Sequence, residues 1–180
     1  MSDFIRFKLS AGLMNFLCWF LLLAPALVYL CVGVINYGFM EFFDKIMSVP
    51  ALHSLPLLIL VYILHEGLHV VAGMIAGVQL RSFSFGFDKR SLSIECICKQ
   101  DISIRAYHLM LLFPFVVLTP ILFYLALVSG TQLWWIIFVL SVSGCAFDLV
   151  ISIGIAGIPG STRIVPEIKG ENGYVYLRSA

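Results

Sequence analysis

Leu55-Pro56-Leu57-Leu58-Ile59-Leu60-Val61-Tyr62-Ile63-Leu64-His65-Glu66-Gly67-Leu68-His69-Val70-Val71-Ala72-Gly73-Met74-Ile75-Ala76 is an apolar run with ionisable groups at its centre. It has the roughly 20 residues that a helix needs to cross a hydrocarbon core. An ionisable side chain at membrane depth costs about 2.5–3.5 kcal/mol even on the gentler insertion scale, so the cluster His65, Glu66, His69 needs a compensating partner. Helical spacing suggests one. Residues i and i+4 stand one above the other on a helix face, so both imidazoles can bind one metal ion. Glu66 lies about 100° further round the helix, where it flanks such an ion and reaches its water. A zinc peptidase requires this arrangement: zinc lowers the water pKa towards about 7 and polarises a peptide carbonyl. The carboxylate takes the proton and later hands it to the leaving amine. The competing readings are polar residues that hold helices together and a proton relay in a transporter.

The rest of the chain supports a membrane setting. Of its 180 residues 61% are hydrophobic and 12% charged, with a mean hydropathy of +1.04, where soluble domains carry about 25% charged residues. That composition excludes a soluble globular domain and a disordered chain. A formal net charge of +1 gives no reason to expect nucleic acid as a partner. Further apolar runs cover 12–35, 109–128 and 133–158 beside the one at 55–76. The fold class is therefore an α-helical integral membrane protein, one domain over 1–180, with four transmembrane helices. Arg6, Lys8 and Ala24-Pro25-Ala26 imitate a signal peptide, but the run continues through Cys31 and is too long for an h-region. The first helix is expected to stay in the membrane, kinked at Pro25.

Basic residues set the orientation. Arg6 and Lys8 precede the first span, Arg81, Lys89, Arg90, Lys99 and Arg105 separate the second from the third, and Arg163, Lys169 and Arg178 follow the fourth. Lys45 alone lies on the other side. Both termini and the segment 79–107 are thus expected in the cytosol. The cysteines, Cys18, Cys31, Cys96, Cys98 and Cys145, are then in membrane or on a reducing face, and no disulfide framework is implied. Cys96 and Cys98 share one face of a strand and form half a metal site at most, without a second pair. Alternation over Leu80–Phe85 and Leu92–Cys98 predicts two short cytosolic strands around a turn at Gly86–Ser91, with Ile102-Ser103-Ile104 as a third. Pro159-Gly160-Ser161 ends the fourth helix, and the tail 159–180 carries no clear signal.

Catalytic zinc normally takes three protein ligands and keeps one open position. Outside the motif, Asp148 is the only acidic residue in a predicted span. The second and fourth spans run in the same direction, and both the histidines and Asp148 lie about 13 Å from the ends of their spans at 1.5 Å per residue. They can meet. Asp148 shares a stripe with Ser141, Gly144, Cys145 and Ser152, the motif one with Ala72, Gly73 and Ala76, and small residues allow close helix approach. Gly73 and Gly77 form a Gly-x-x-x-Gly pair. Alternatives for Asp148 are a helix–helix hydrogen bond or an acceptor for a zinc histidine's other nitrogen. His108 is the other candidate ligand, and His53 reads as solvated.

His65-Glu66-Gly67-Leu68-His69 followed by Gly77-Val78 and Arg81-Ser82-Phe83-Ser84-Phe85-Gly86-Phe87 resembles the core of the site-2 protease superfamily of intramembrane metalloproteases. The resemblance covers Leu64 to Phe87 and extends loosely to Asp148. In size and layout the chain is similar to the small zincin membrane peptidases with this motif. The resemblance implies one zinc ion on His65, His69 and Asp148, with Glu66 as base. Phe147-Asp148-Leu149 departs from the family's later motif by lacking its asparagine, proline and glycine.

The expected function is a zinc-dependent intramembrane endopeptidase cutting transmembrane protein or peptide substrates near the cytosolic leaflet, in a bacterial plasma membrane. An exposed strand edge within Leu80–Cys98, with Phe83, Ser84, Phe85, Gly86 and Phe87 as candidate substrate residues, could hold an unwound segment beside the zinc; a plain cap on the bundle is the equal alternative. The other function classes are a metal-binding scaffold that turns nothing over and a small transporter or channel subunit. Oligomeric state, substrate identity and regulation leave no mark in the sequence.

Overall fold

The computed structural model describes residues 4–7, 11–88, 93–160, 162–165 and 175–178. The long helices are α1 (Ala11–Tyr37), α3 (Ala51–Ile75) and α4 (Ile104–Ser129), and a short α2 (Phe39–Met47) joins α1 to α3. The fourth predicted helix is two: α5 (Gln132–Gly144) and α6 (Ala146–Ile155), interrupted at Cys145. Among the described residues, four stretches are long and apolar enough to span a membrane: Trp19–Tyr37, Ser54–Ile75, Ile104–Ser129 and Gln132–Ile155.

Local chemistry sets the helix ends. The Ser103 hydroxyl accepts from the Ala106 N–H at 3.2 Å and caps α4, which starts the helix five residues before the apolar run at Leu109. Gly130, at φ 62°, closes it. At the end of α3 the N–H of Gly77 bonds to the Met74 carbonyl and that of Val78 to the Gly73 carbonyl, at 3.0 and 2.9 Å. That pairing needs a left-handed residue after the cap, and Gly77 supplies φ 86°. Gly77 is therefore a helix stop, while Gly73 serves close approach: a Cβ there would stand 2.3 Å from the Phe83 ring.

Strands β2 (Phe83–Asp88) and β3 (Ser93–Cys98) pair in register Phe83↔Cys98, Phe85↔Cys96, Phe87↔Ile94. Leu80–Ser82, expected to open the first strand, is a 3₁₀ turn instead, because Ser82 N–H bonds back to the Gln79 carbonyl at 2.8 Å. Of the expected turn Gly86–Ser91, residues 86–88 extend strand β2 instead, because they stay paired with β3, and 89–91 lie outside the described residues, as does residue 92 of the expected second strand. Ile102–Ser103 is a strand, β4, but it does not join this hairpin. It pairs with β5 (Arg163–Val165), which pairs with β6 (Val175–Arg178), which pairs with β1 (Phe4–Phe7), all antiparallel. The tail thus closes a second sheet in the order β1-β6-β5-β4, bringing both ends of the chain to the base of α4.

Two apolar clusters bracket the middle of the bundle. Ala72, Val78, Ile102, Ile104, Met110, Leu111, Ile155 and Ile164 pack at the sheet-bearing end, and Val61, Leu118, Leu122 and Ile137 nearer the other. The motif turn of α3 falls between them. At the far end α2 exposes Phe39, Met40, Phe43 and Met47 while Lys45 pairs with Glu41 at 3.0 Å. It thus has the amphipathic character of a helix lying along a membrane interface.

Replacing Gly77 by Ala puts a Cβ into the left-handed conformation at a cost of about 1–2 kcal/mol. The unfolding temperature in detergent should fall for Gly77→Ala and stay within error for Gly144→Ala, where a Cβ meets open space. Equal behaviour of the two would show that the stop at Gly77 does not limit stability.

Candidate metal centre

His65 and His69 project from adjacent turns of α3 towards α6, whose first turn carries Asp148. Nε2 of His65 lies 3.1 Å from Oδ2 of Asp148, Nε2 of His69 lies 3.4 Å from the same oxygen, and the two nitrogens are 3.2 Å apart. All three side chains are largely buried, 11% exposed for the histidines and 15% for the aspartate. The depth match between the second and fourth spans therefore becomes direct contact. The break at Cys145 contributes, because a new helix starts at Ala146, two residues before Asp148, and places that carboxylate in its first turn, where negative charge is favoured.

The other ring nitrogens have partners of their own. Nδ1 of His69 is 2.8 Å from the Met110 carbonyl on α4. A carbonyl can only accept, so Nδ1 carries the hydrogen and neutral His69 turns a lone pair towards the triangle. Nδ1 of His65 faces the buried Cys145 thiol at 3.7 Å. If His65 is protonated at Nδ1, the triangle contains acceptors alone. If it is protonated at Nε2, that one hydrogen is shared between two acceptors. Either way His69 and Asp148 oppose acceptor to acceptor at 3.4 Å, so a proton or a metal ion must supply positive charge. Four-coordinate zinc with bonds of about 2.0–2.1 Å has ligand–ligand edges of about 3.3 Å by tetrahedral geometry. The observed triangle is of that size, and its two imidazoles and one carboxylate are ordinary zinc donors.

Glu66 is engaged differently. Its carboxylate also lies near the imidazoles, with one ligand atom each of His65, Glu66 and His69 within 4.8 Å of one another. However, Oε2 accepts from the backbone N–H of Cys96 at 2.9 Å, whereas Asp148 touches both imidazoles. Lys99 N–H bonds to the Ser82 carbonyl at 2.8 Å, which fixes the ladder alternation. In register with it, Phe85 and Cys96 form a pair whose N–H and C=O groups point away from the partner strand. The free edge of β3 thus faces α3 and Glu66, and β2 lies behind it.

A family model described as "Putative zincin peptidase" matches residues 58–162, more than half of the chain. The chain belongs to this family. The zincin match runs from α3 to the threshold of β5 and includes His65, Glu66, His69 and Asp148. No curated protein and no solved structure shows significant similarity to the chain.

Other sequence candidates lie elsewhere in this zincin chain. His108, the second candidate ligand, bonds through Nδ1 to the Ser152 hydroxyl at 2.8 Å, on a different face of α4 from Met110 and away from the triangle. Gly144 meets open space and Ser152 faces His108; the stripe drawn through them for a continuous helix is broken at Cys145. On β2, Phe83 packs on Gly73, and the side chains of Phe87 and His53 lie outside the described ones. Cys98 donates weakly to the Gln100 carbonyl at 3.6 Å. Burial raises the Cys98 thiol and pushes Cys96 up to about 12, Glu66 and Cys98 adding to the latter, so both remain thiols at neutral pH. The contacts that sequence reasoning missed are those of backbone groups, the Met110 carbonyl and the Cys96 N–H.

The raised thiol gives a pH-signed test. Against an ordinary value of 9.0, the thiolate fraction of Cys96 at pH 8 should be lower by about a thousandfold, at tenfold per pH unit. Iodoacetamide should modify it slowly by site-resolved mass spectrometry, faster as pH rises, and faster in Glu66→Gln, which removes a neighbouring negative charge. Rapid modification at pH 7 would contradict the burial of this strand.

Proposed function

We propose that the chain is a zinc-dependent endopeptidase that hydrolyses peptide bonds of transmembrane substrates within the bilayer. His65, His69 and Asp148 hold one zinc ion, and Glu66 is the general base. The observation that carries this reading is the buried triangle of acceptors, which needs a positive charge and has the size and donor set that zinc takes. Membership of a zincin peptidase family supports it, as do four spans with the motif at the middle of one. The likeness of Leu64–Phe87 to the site-2 protease superfamily supports cleavage inside the membrane.

Zinc bound there supplies Lewis-acid polarisation of the scissile carbonyl and activation of a water. The chain's own groups do the rest. Glu66 stands one position along α3 from His65, close enough to take a proton from the attacking water and pass it to the amine that leaves. The Met110 carbonyl holds His69 in one tautomer, and Asp148 balances the charge. The apolar clusters on either side keep the site away from bulk solvent.

An extended substrate segment requires replacement hydrogen bonds, and a strand edge offers them. A segment paired to the outer edge of β2 would lie two strand spacings, about 10 Å, beyond β3 and out of reach of Glu66. The free edge of β3, at Cys96 and Cys98, is the one that faces the reacting groups, so the substrate edge moves from Phe83–Phe87 to the neighbouring strand. We read both described sheets as lying on one side of the membrane; the basic residues concentrated there support a cytosolic side, and a bacterial plasma membrane is the setting proposed for it.

Elemental analysis of detergent-purified protein tests the assignment. Near-stoichiometric zinc is expected in wild type and in Glu66→Gln, with loss in His65→Ala and Asp148→Ala; Glu66→Gln should also lack cleavage. Zinc-free, well-folded wild type would leave the proton-relay reading in its place, and full activity of Glu66→Gln would leave a metal-binding scaffold.

A further inference from the structure

The Met110 carbonyl is in an unusual position for a main-chain group in the middle of α4. In a regular helix it would accept from the N–H four residues on. The residue four on is Pro114, whose ring nitrogen carries no hydrogen and whose ring crowds that carbonyl. Pro114 is among the most completely buried residues of the chain, so no water is at hand to satisfy the freed oxygen, and in a membrane span such an oxygen must find a partner within the protein. Its partner is Nδ1 of His69, at 2.8 Å.

We infer that Pro114 is a positioning residue for the metal centre. By removing one helical hydrogen bond it leaves the Met110 carbonyl free for His69, which fixes the imidazole tautomer and aims Nε2 at His65 and Asp148. The inference rests on the zinc reading above, and deepens it. Hydrogen-bond partners of ligating histidines affect metal affinity by about 10–100-fold. A restored N–H at 114 competes with His69 for the carbonyl without removing it, so the lower part of that range applies. Pro120, on the same helix, makes the same backbone change outside this contact and serves as its control.

The experiment is zinc affinity of the full chain in detergent, by chelator competition, beside the thermal stability of the metal-free form. Pro114→Ala should weaken zinc binding about tenfold while metal-free stability holds or rises, since a proline is lost from a helix interior. Pro120→Ala should leave affinity unchanged. An α-hydroxy acid at position 114, which has neither ring nor N–H, should restore wild-type affinity, a rescue that a purely steric role of the ring does not produce. Unchanged affinity in Pro114→Ala, an equal loss in Pro120→Ala, or failure of the hydroxy acid to restore binding would overturn the inference. If Pro114→Ala does not fold, the hydroxy-acid protein alone decides: wild-type affinity supports the role of the missing N–H, and weakened affinity overturns it. Wild type without zinc would overturn both this inference and the metal reading, whereas zinc in wild type with no difference among the variants overturns this inference alone.

Discussion

Two imidazole nitrogens and a carboxylate oxygen face one another in a buried triangle with edges of 3.1–3.4 Å, and much of the rest of the structure follows from what that demands. In water such a cluster would be screened. Inside a bundle the effective dielectric is low, like-signed partial charges repel more strongly, and an unpaired polar group costs several times what it does at a surface. Positive charge at the centre converts repulsion into attraction, and a metal that binds only when α3 and α6 are together adds its binding energy to the folding of the bundle. On the proposed reading the site is thus a joint between helices as well as a place for chemistry.

Two of the three helices that meet the triangle are irregular at the point of meeting. α4 gives up a hydrogen bond at Pro114 to offer a carbonyl, and the predicted fourth helix is interrupted at Cys145 just before it presents Asp148. α3 stays regular through the motif, because i, i+4 stacking of His65 and His69 needs an intact turn. It stops two turns later at Gly77, where Phe83 returns over Gly73. Transmembrane helices tolerate such breaks where neighbouring groups satisfy the exposed backbone. Here the His69 ring satisfies the carbonyl freed in α4, and the Cys145 thiol at the other break faces His65.

Features written in local periodicity were legible in the sequence. Four spans, the motif on one helix face and the depth of Asp148 come from hydropathy and a fixed rise per residue, and all three appear in the structure. Features that depend on distant pairing were not. The strands β1, β5 and β6 are three or four residues long and too short for alternation to register, and β4 finds its partner some sixty positions away. The interruption at Cys145 has no proline beside it, and Gly144 alone is a weak signal in an apolar run. His108, at the start of the third span, is the second candidate ligand, and its position in the sequence reads as interfacial; its bond to Ser152 takes it away from the triangle.

The Cys96 N–H connects the motif to the hairpin and, on the proposed reading, constrains how a substrate is held. β3 approaches α3 until its backbone touches Glu66 at 2.9 Å, which leaves no space for another strand. A segment inserted along that edge needs about 4.8 Å, so the strand must step back by one spacing, and the hydrogen bond to Glu66 must break as it does. On the proposed reading this is an exchange. The N–H passes to a substrate carbonyl, and the carboxylate, relieved of its resting partner, turns to the proton it has to move. On that reading strand pairing would release Oε2, the oxygen that the Cys96 N–H holds in the resting arrangement.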